Sequence, residues 1–428
     1  MTDTKHLIEI VAAVIFAVAL LHTFAASQFE RLAHRFPAHS GLFHLLGEVE
    51  VVFGFWAMVL VLAMAGIAGS SAALDYAESR HYTEPLFVFV VMVIAASRPI
   101  LQAVLGGIAA VAHRLPVRTA LASAWLGLAA VPLLGSLVTE PAAMTIAALM
   151  LAPQVFRPEV PERVKYLALG VLFVNVSIGG TLTSFAAPPV LMVAAAWSWD
   201  SAFMLAHFGW KAATAVLINA TIAAWFLRPH LLNAPASTSS AETAGTPETA
   251  SRIPAQVTVV HFGFLAAVVM LAHHPVAFLA VFLMFLGFTQ AYDRHQSPPI
   301  IKEALLVGFF LAGLVVLGGL QQWWLQPVVS GMSARALYFG ATALTAITDN
   351  AALTYLGSLI AGISDEAKYS LVAGAVSGGG LTVIANAPNP AGVSLLKRGF
   401  ADGSVGAGGL LLGAAVPTLV AMAAFELL

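Results

Sequence analysis

The chain has 428 residues, of which 60% are hydrophobic and only 9% charged, with a mean hydropathy of +0.89 and a net charge of -2. Soluble domains carry roughly 25% charged residues, so most of this chain belongs in lipid, and its charge balance offers no field for nucleic acid or an acidic partner. The absence of cysteine excludes disulfides, thiolate nucleophiles and Cys-ligated zinc or iron–sulfur clusters, leaving any metal to His, carboxylate or carbonyl ligands.

The first apolar segment covers residues 7–28. Small residues Ala25, Ala26 and Ser27 near its end resemble a signal cleavage site, but Lys5 is offset by Asp3 and Glu9 and the apolar run is long for a signal peptide, so an uncleaved membrane helix is expected. Segments at 44–67 and 85–112 follow. Glu48 and Glu50 open the first of these; Glu48 suits the helix dipole, and Glu50, about one turn deeper, is a weak candidate for a proton path. Arg98, before Pro99, lies within a span and either pairs with an acid or snorkels.

Next come short pieces. A spanning helix needs about 20 residues at roughly 1.5 Å each, so 117–136 with 141–155 reads as a re-entrant hairpin, and 164–186 with 189–199 as a broken helix. Glu140 stands at the first break and Gly179-Gly180 at the second. After a segment at 207–228, residues 233–256 change to Ala, Ser, Thr, Pro and Glu, which predicts a flexible cytoplasmic linker. Beyond it, 257–273, 275–292 and 303–325 are apolar. A second hairpin is predicted over about 333–363 around Asp349, a second broken helix over about 369–395 around Gly378-Gly379-Gly380, and a last span over 406–428.

The two halves repeat one another. Placing Glu140 on Asp349 aligns Thr139 with Thr348 and Ala142-Ala143 with Ala351-Ala352; Gly179-Gly180-Thr181-Leu182-Thr183 likewise falls beside Gly378-Gly379-Gly380-Leu381-Thr382. If the hairpins enter and leave on one side, the cations gather on the other segments' cytoplasmic ends. Arg31, Arg35, Arg114, Arg118, Arg157, Arg163, Lys165, Arg228, Arg252, Arg294, Lys302, Lys397 and Arg398 share one side, against Lys5, Arg80, Lys211, Arg335 and Lys368. The positive-inside rule makes the richer side cytoplasmic and the two halves inverted, with Trp197, Trp199, Trp323 and Trp324 at the outer interface. The expected fold is therefore an all-α polytopic membrane protein of two inverted repeats, 1–232 and 257–428, with about ten spanning helices, two re-entrant hairpins and two broken helices.

Glu140 and Asp349 are the candidate ion and proton carriers. An ionised carboxylate in low dielectric is strongly disfavoured unless a proton or a cation neutralises it, and one acid that accepts either, but not both, is the minimum chemistry of exchange. Asn350, Thr348, Thr139 and Ser136 flank the acids as possible ligands, although hydroxyls in helices more often bond a preceding carbonyl. Gly179, Gly180, Gly379 and Gly380 free backbone carbonyls for a hard cation, or else permit close helix packing; Thr181, Thr183 and Thr382 add hydroxyls, and Asn386 and Asn389 add amides. Na+ is expected at Asp349, Asn350 and Thr382, because Asn350 supplies a carbonyl where Pro141 supplies none. His207 and His261, at segment ends, read as interfacial, and His273-His274 as a solvated turn.

Thr348-Asp349-Asn350-Ala351-Ala352-Leu353-Thr354 and Gly378-Gly379-Gly380-Leu381-Thr382, with their weaker counterparts at 139–145 and 179–183, resemble the ion transporter superfamily, most closely bacterial NhaD-type and putative sodium/proton antiporters. The resemblance implies scaffold and transport regions, a homodimer in the bacterial inner membrane, elevator-like motion, and a cation- and proton-binding role for Asp349 and Glu140. The Glu-Pro of the first copy departs from the Asp-Asn pattern, and the Ser-Asn-Thr motif of dicarboxylate carriers is absent. The expected function is exchange of Na+ or Li+ for H+, with no cofactor beyond the transported ions. An anion, oxyanion or organic-acid permease of the same superfamily is the alternative. An intramembrane His-dependent enzyme is disfavoured by the lack of a His-Glu-x-x-His sequence.

Overall fold

A computed structural model describes residues 2–232, 253–401 and 403–428. Most of the linker expected at 233–256 lies outside the described residues. Those that are described form helices and connecting turns, with no strand among them.

Six helices are long and apolar enough to cross a membrane: Thr4–Thr23, Glu50–Ala68, Glu162–Leu182, Ser201–Leu231, Ile301–Gly318 and Ala407–Leu427. Two bent pairs raise the number to eight if each is one span, Thr83–Ala95 with Arg98–Arg114 at 64° and Thr119–Leu128 with Ala130–Val138 at 44°. Ten were expected; Ala255–Met270 and Pro275–Ala291 are apolar but stop short of the length a full crossing requires. Arg98 opens the second arm of the first bent pair, and Pro99 beside it cannot donate to the preceding turn, which accounts for the bend.

The breaks follow the sequence punctuation. Glu162–Gly179 tightens into a 3-10 turn at Gly180–Leu182 before Pro188–Trp197 resumes, and Asp365–Gly378 gives way to Val383–Ala385 and then Asn389–Leu396. Prolines stand in the first turn of both resumed helices, where the missing N–H has no partner to lose. The first hairpin breaks between Val138 and Glu140; in the second, Ala334–Thr345 ends four residues before Asp349 caps Asn350–Ser358. Ser333 and Ser364 cap the N-termini of Ala334–Thr345 and Asp365–Gly378 through the N–H groups of Ala336 and Ala367.

Side chains pack into two apolar cores rather than one. The first gathers the first hairpin, the opening arm of the second, the broken helices and the last helix of each half, with Leu128, Met144, Leu172 and Phe208 meeting Tyr338, Val372, Val376 and Phe425. The second gathers the opening helices of each half, with Phe16, Phe53, Leu60 and Phe87 meeting Phe278, Phe310 and Leu314. Each is drawn tight by a glycine crossing. Gly54 faces Gly313 where Val49–Ala68 crosses Ile301–Gly318, and Gly170 faces Gly413 where Glu162–Gly179 crosses Ala407–Leu427; a Cβ at Gly170 or Gly313 would strike the opposing backbone. The hairpin tips belong to the seam between the cores: Val138 and Ala142 pack into the second while the rest of the first hairpin builds the first, and in the second hairpin Tyr338 of Ala334–Thr345 joins the first core while Ala351, Ala352 and Leu356 of Asn350–Ser358 join the second.

Candidate functional site

The tip of the second hairpin is a conventional helix start. Asp349 is the N-cap, with extended backbone at φ -74°, and its Oδ1 accepts from the N–H groups of Ala351 at 2.8 Å and Ala352 at 3.2 Å. Asp349 also lines a crevice of about 20 Å³ in the seam, with Thr348, Val383, Ile384, Asn386, Ala387 and Pro390 on its own side and Thr23, Glu50, Phe53, Val307 and Phe310 opposite. That space admits one water or a bare monovalent ion.

The first hairpin tip is built differently. Thr139 holds the N-cap position at φ 83°, a conformation costly for a β-branched residue, and its Oγ1 is buried without a partner. Glu140 is the first helical residue and fully buried. Its Oε2 accepts from Asn386 Nδ2 at 2.8 Å, a bond between the two halves of the chain, and its Oε1 has no partner. Gly180 faces that oxygen closely, since a Cβ there would lie 2.7 Å from Oε1 and would displace the carboxylate.

Hydrogen bonds at the two breaks correct the alignment of the hairpins by one residue. Thr183 Oγ1 donates to the carbonyl of Ser136 at 2.7 Å, and its counterpart Thr382 donates to the carbonyl of Ala346 at 2.9 Å. Gly179 packs on the carbonyl of Pro132, and Gly378 on that of Thr342. In this register Thr139 matches Asp349 and Glu140 matches Asn350, so the two acids are not positional equivalents. Gly180 and Gly379 agree, the first facing Glu140 and the second facing Asn350.

The other expected ligands divide into two groups. Ser136 donates to the Gly179 carbonyl at 2.7 Å and accepts from the Leu182 N–H at 3.0 Å, Thr181 donates to Ile178, and Asn389 Nδ2 holds the Gly379 and Thr382 carbonyls at 2.8 and 2.9 Å. These contacts brace the breaks. Asn350 points toward the first half, with Nδ2 at 3.3 Å from Ser177 Oγ, which itself donates to the Val376 carbonyl. Asn350 and Thr382 are therefore not among the crevice walls with Asp349; Asn386 and Thr348 are. Buried oxygens without partners remain on Glu140, Asn350, Asn386, Asn389, Thr139 and Thr345. Of these residues Asn386 alone lines the crevice, so its amide oxygen is the one placed beside Asp349 for a hard cation.

Sequence reading did not single out Ser177, whose position two residues before the Gly-Gly pair carries no signal of its own. It undervalued Glu50, which faces the crevice, while Glu48 turns to Lys302 at 3.9 Å near the surface. His261 is fully buried beside the second core, bonded to the Val257 carbonyl at 2.7 Å and to Gln296 at 3.2 Å. His273 and His274 occupy an exposed turn and His207 an exposed π-helical turn.

Apolar helices in this number make the chain a multi-pass membrane protein. No curated protein matches it significantly. The profile of the putative Na+/H+ antiporter family matches residues 7–428, nearly the whole length, and the chain belongs to that family.

Proposed function

We propose that the protein exchanges Na+ or Li+ for H+ across the bacterial inner membrane by alternating access, as a homodimer of subunits that each contain two inverted repeats, with about ten spans, two re-entrant hairpins and two broken helices. Asp349 is the cation-binding carboxylate, with Asn386 and Thr348 as neighbouring ligands, and Glu140 is the second carboxylate that must be neutralised before the first core moves against the second. The observation that carries this reading is the seam itself, where Glu140 of one half is bonded to Asn386, which shares a water-sized crevice with Asp349 of the other.

An unneutralised carboxylate moving through low dielectric would cost several kcal/mol, roughly 2.5–3.5 on insertion scales. A proton or a cation on each acid removes that cost, so the loaded forms move and the bare form does not. Because both ligands compete for one carboxylate, the apparent KM for Na+ is expected to rise as pH falls.

The test uses everted vesicles with an imposed pH gradient. Added Na+ or Li+ collapses the gradient in wild type, K+ does not, and Asp349→Asn abolishes the response. Na+-independent proton flux driven by an organic or inorganic anion would falsify the proposal.

A further inference from the structure

We infer that Glu50 is a cation-binding station on the cytoplasmic approach to Asp349, supplied by the helix Val49–Ala68 rather than by the hairpin that binds the transported ion. This rests on the exchange reading above and adds a residue which that reading does not require. Glu50 lies in the first turn of Val49–Ala68, in the second core, and lines the same crevice as Asp349.

Three observations converge. Glu48, two residues away, points to Lys302 near the surface, whereas Glu50 turns into the crevice, and no cationic side chain pairs with it among the described residues. Across the crevice, Asn386 is 1% exposed and its Oδ1 has no hydrogen-bond partner. The crevice therefore offers two carboxylates, one from Val49–Ala68 and one from the N-cap of Asn350–Ser358, and an orphaned amide oxygen, with no basic side chain on its walls. Oxygen-only donors around a water-sized space are the coordination chemistry of a small, hard, monovalent cation.

Position gives the order of events. Glu50 lies at the chain end shared with the cytoplasmic cations Arg31, Arg35 and Lys302, while Asp349 lies at the buried hairpin tip. A cation entering from this side meets Glu50 before Asp349. An ion held between Glu50 and Asp349 ties Val49–Ala68 to the hairpin tip, so transport requires its transfer to Asp349 and the loss of contact with Glu50. In the proposed inverted arrangement the second hairpin opens to the external side, by a route that does not pass Glu50.

A carboxylate that only favours its own helix N-terminus would behave alike from both faces, which makes sidedness the discriminating measurement. With the full chain in everted and right-side-out vesicles, Glu50→Gln is expected to raise the Na+ KM at the cytoplasmic face about tenfold, an interaction of roughly 1.4 kcal/mol. The external KM stays at its wild-type value, and Glu50→Asp recovers most of the cytoplasmic affinity. An unchanged KM, an equal shift at both faces, a shift confined to the external face, or a loss that Glu50→Asp does not rescue overturns the inference. Absence of any Na+-dependent flux in wild type is a separate result and removes the exchange reading on which it rests.

Discussion

The two hairpin tips occupy the same place in their respective halves and solve the same problem in different ways. In the second, the acid is the N-cap, so backbone N–H groups of Ala351 and Ala352 offset its charge and the side chain remains on the crevice wall. In the first, the acid is one residue further on, the cap is a threonine at φ 83°, and the carboxylate extends into the other half of the chain to meet Asn386. A shift of one residue at a helix start thus separates an acid stabilised by its own helix from one that depends on a partner more than two hundred residues away.

The sharpest way to break this comparison is to remove each charge while keeping each hydrogen-bonding role. Asp349→Asn retains a good N-cap and is expected to leave thermal stability within about 1 kcal/mol of wild type. Exchange should fall roughly 100-fold or more, equivalent to about 2.7 kcal/mol. Glu140→Gln keeps an acceptor for Asn386, and a smaller loss of about tenfold is expected, with a shallower dependence of the Na+ KM on pH. Proteoliposome flux measured over a range of pH compares the two directly. Equal losses in both variants would mean that cap and non-cap acids carry the same role.

Removing the partner instead of the acid comes next. Asn386→Ala deprives buried Glu140 of its side-chain partner, and unsatisfied buried groups cost about 1–3 kcal/mol, more when charged. The loss should appear as a lower midpoint in thermal unfolding of detergent-solubilised protein. The same substitution combined with Glu140→Leu should recover much of that stability, since replacing both partners by apolar groups leaves nothing orphaned. Asn350→Ala, at the corresponding position of the second hairpin, breaks only a 3.3 Å contact with Ser177 and should cost less, about 1 kcal/mol.

Much of this architecture is legible in the sequence for a simple reason. Glycine, proline and lone carboxylates are expensive inside apolar helices, so Glu140, Gly179-Gly180, Asp349 and Gly378-Gly379-Gly380 mark the breaks where the chain departs from helix. Register is not legible, because aligning the acids by charge ignores which residue caps the helix, and the Thr183–Ser136 and Thr382–Ala346 contacts, with the packing of Gly179 on Pro132 and Gly378 on Thr342, correct it. The Glu140–Asn386 bond and the Asn350–Ser177 contact join distant segments and leave no local pattern. Glu50 was undervalued because a first-turn carboxylate already has an explanation in the helix dipole, and nothing in the local sequence tells which way it turns.

The mildest test of the comparison concerns strain at Thr139. Left-handed backbone costs a non-glycine residue about 1–3 kcal/mol, and burying the unpartnered Oγ1 adds to it. Asp349 has no such strain, so the first tip alone stores energy. Thr139→Gly accepts φ 83° without the Cβ penalty, and it is expected to raise the unfolding midpoint slightly, by the equivalent of about 1 kcal/mol, once the entropy that glycine adds to the unfolded chain is counted. Thr348→Gly, beside the relaxed tip, should instead destabilise by a similar amount. If the stored strain positions Glu140 against Gly180, the stabilised Thr139→Gly protein will exchange ions more slowly than wild type despite its greater stability. A variant that is more stable and equally fast would assign the strain to the geometry of the Glu-Pro turn alone.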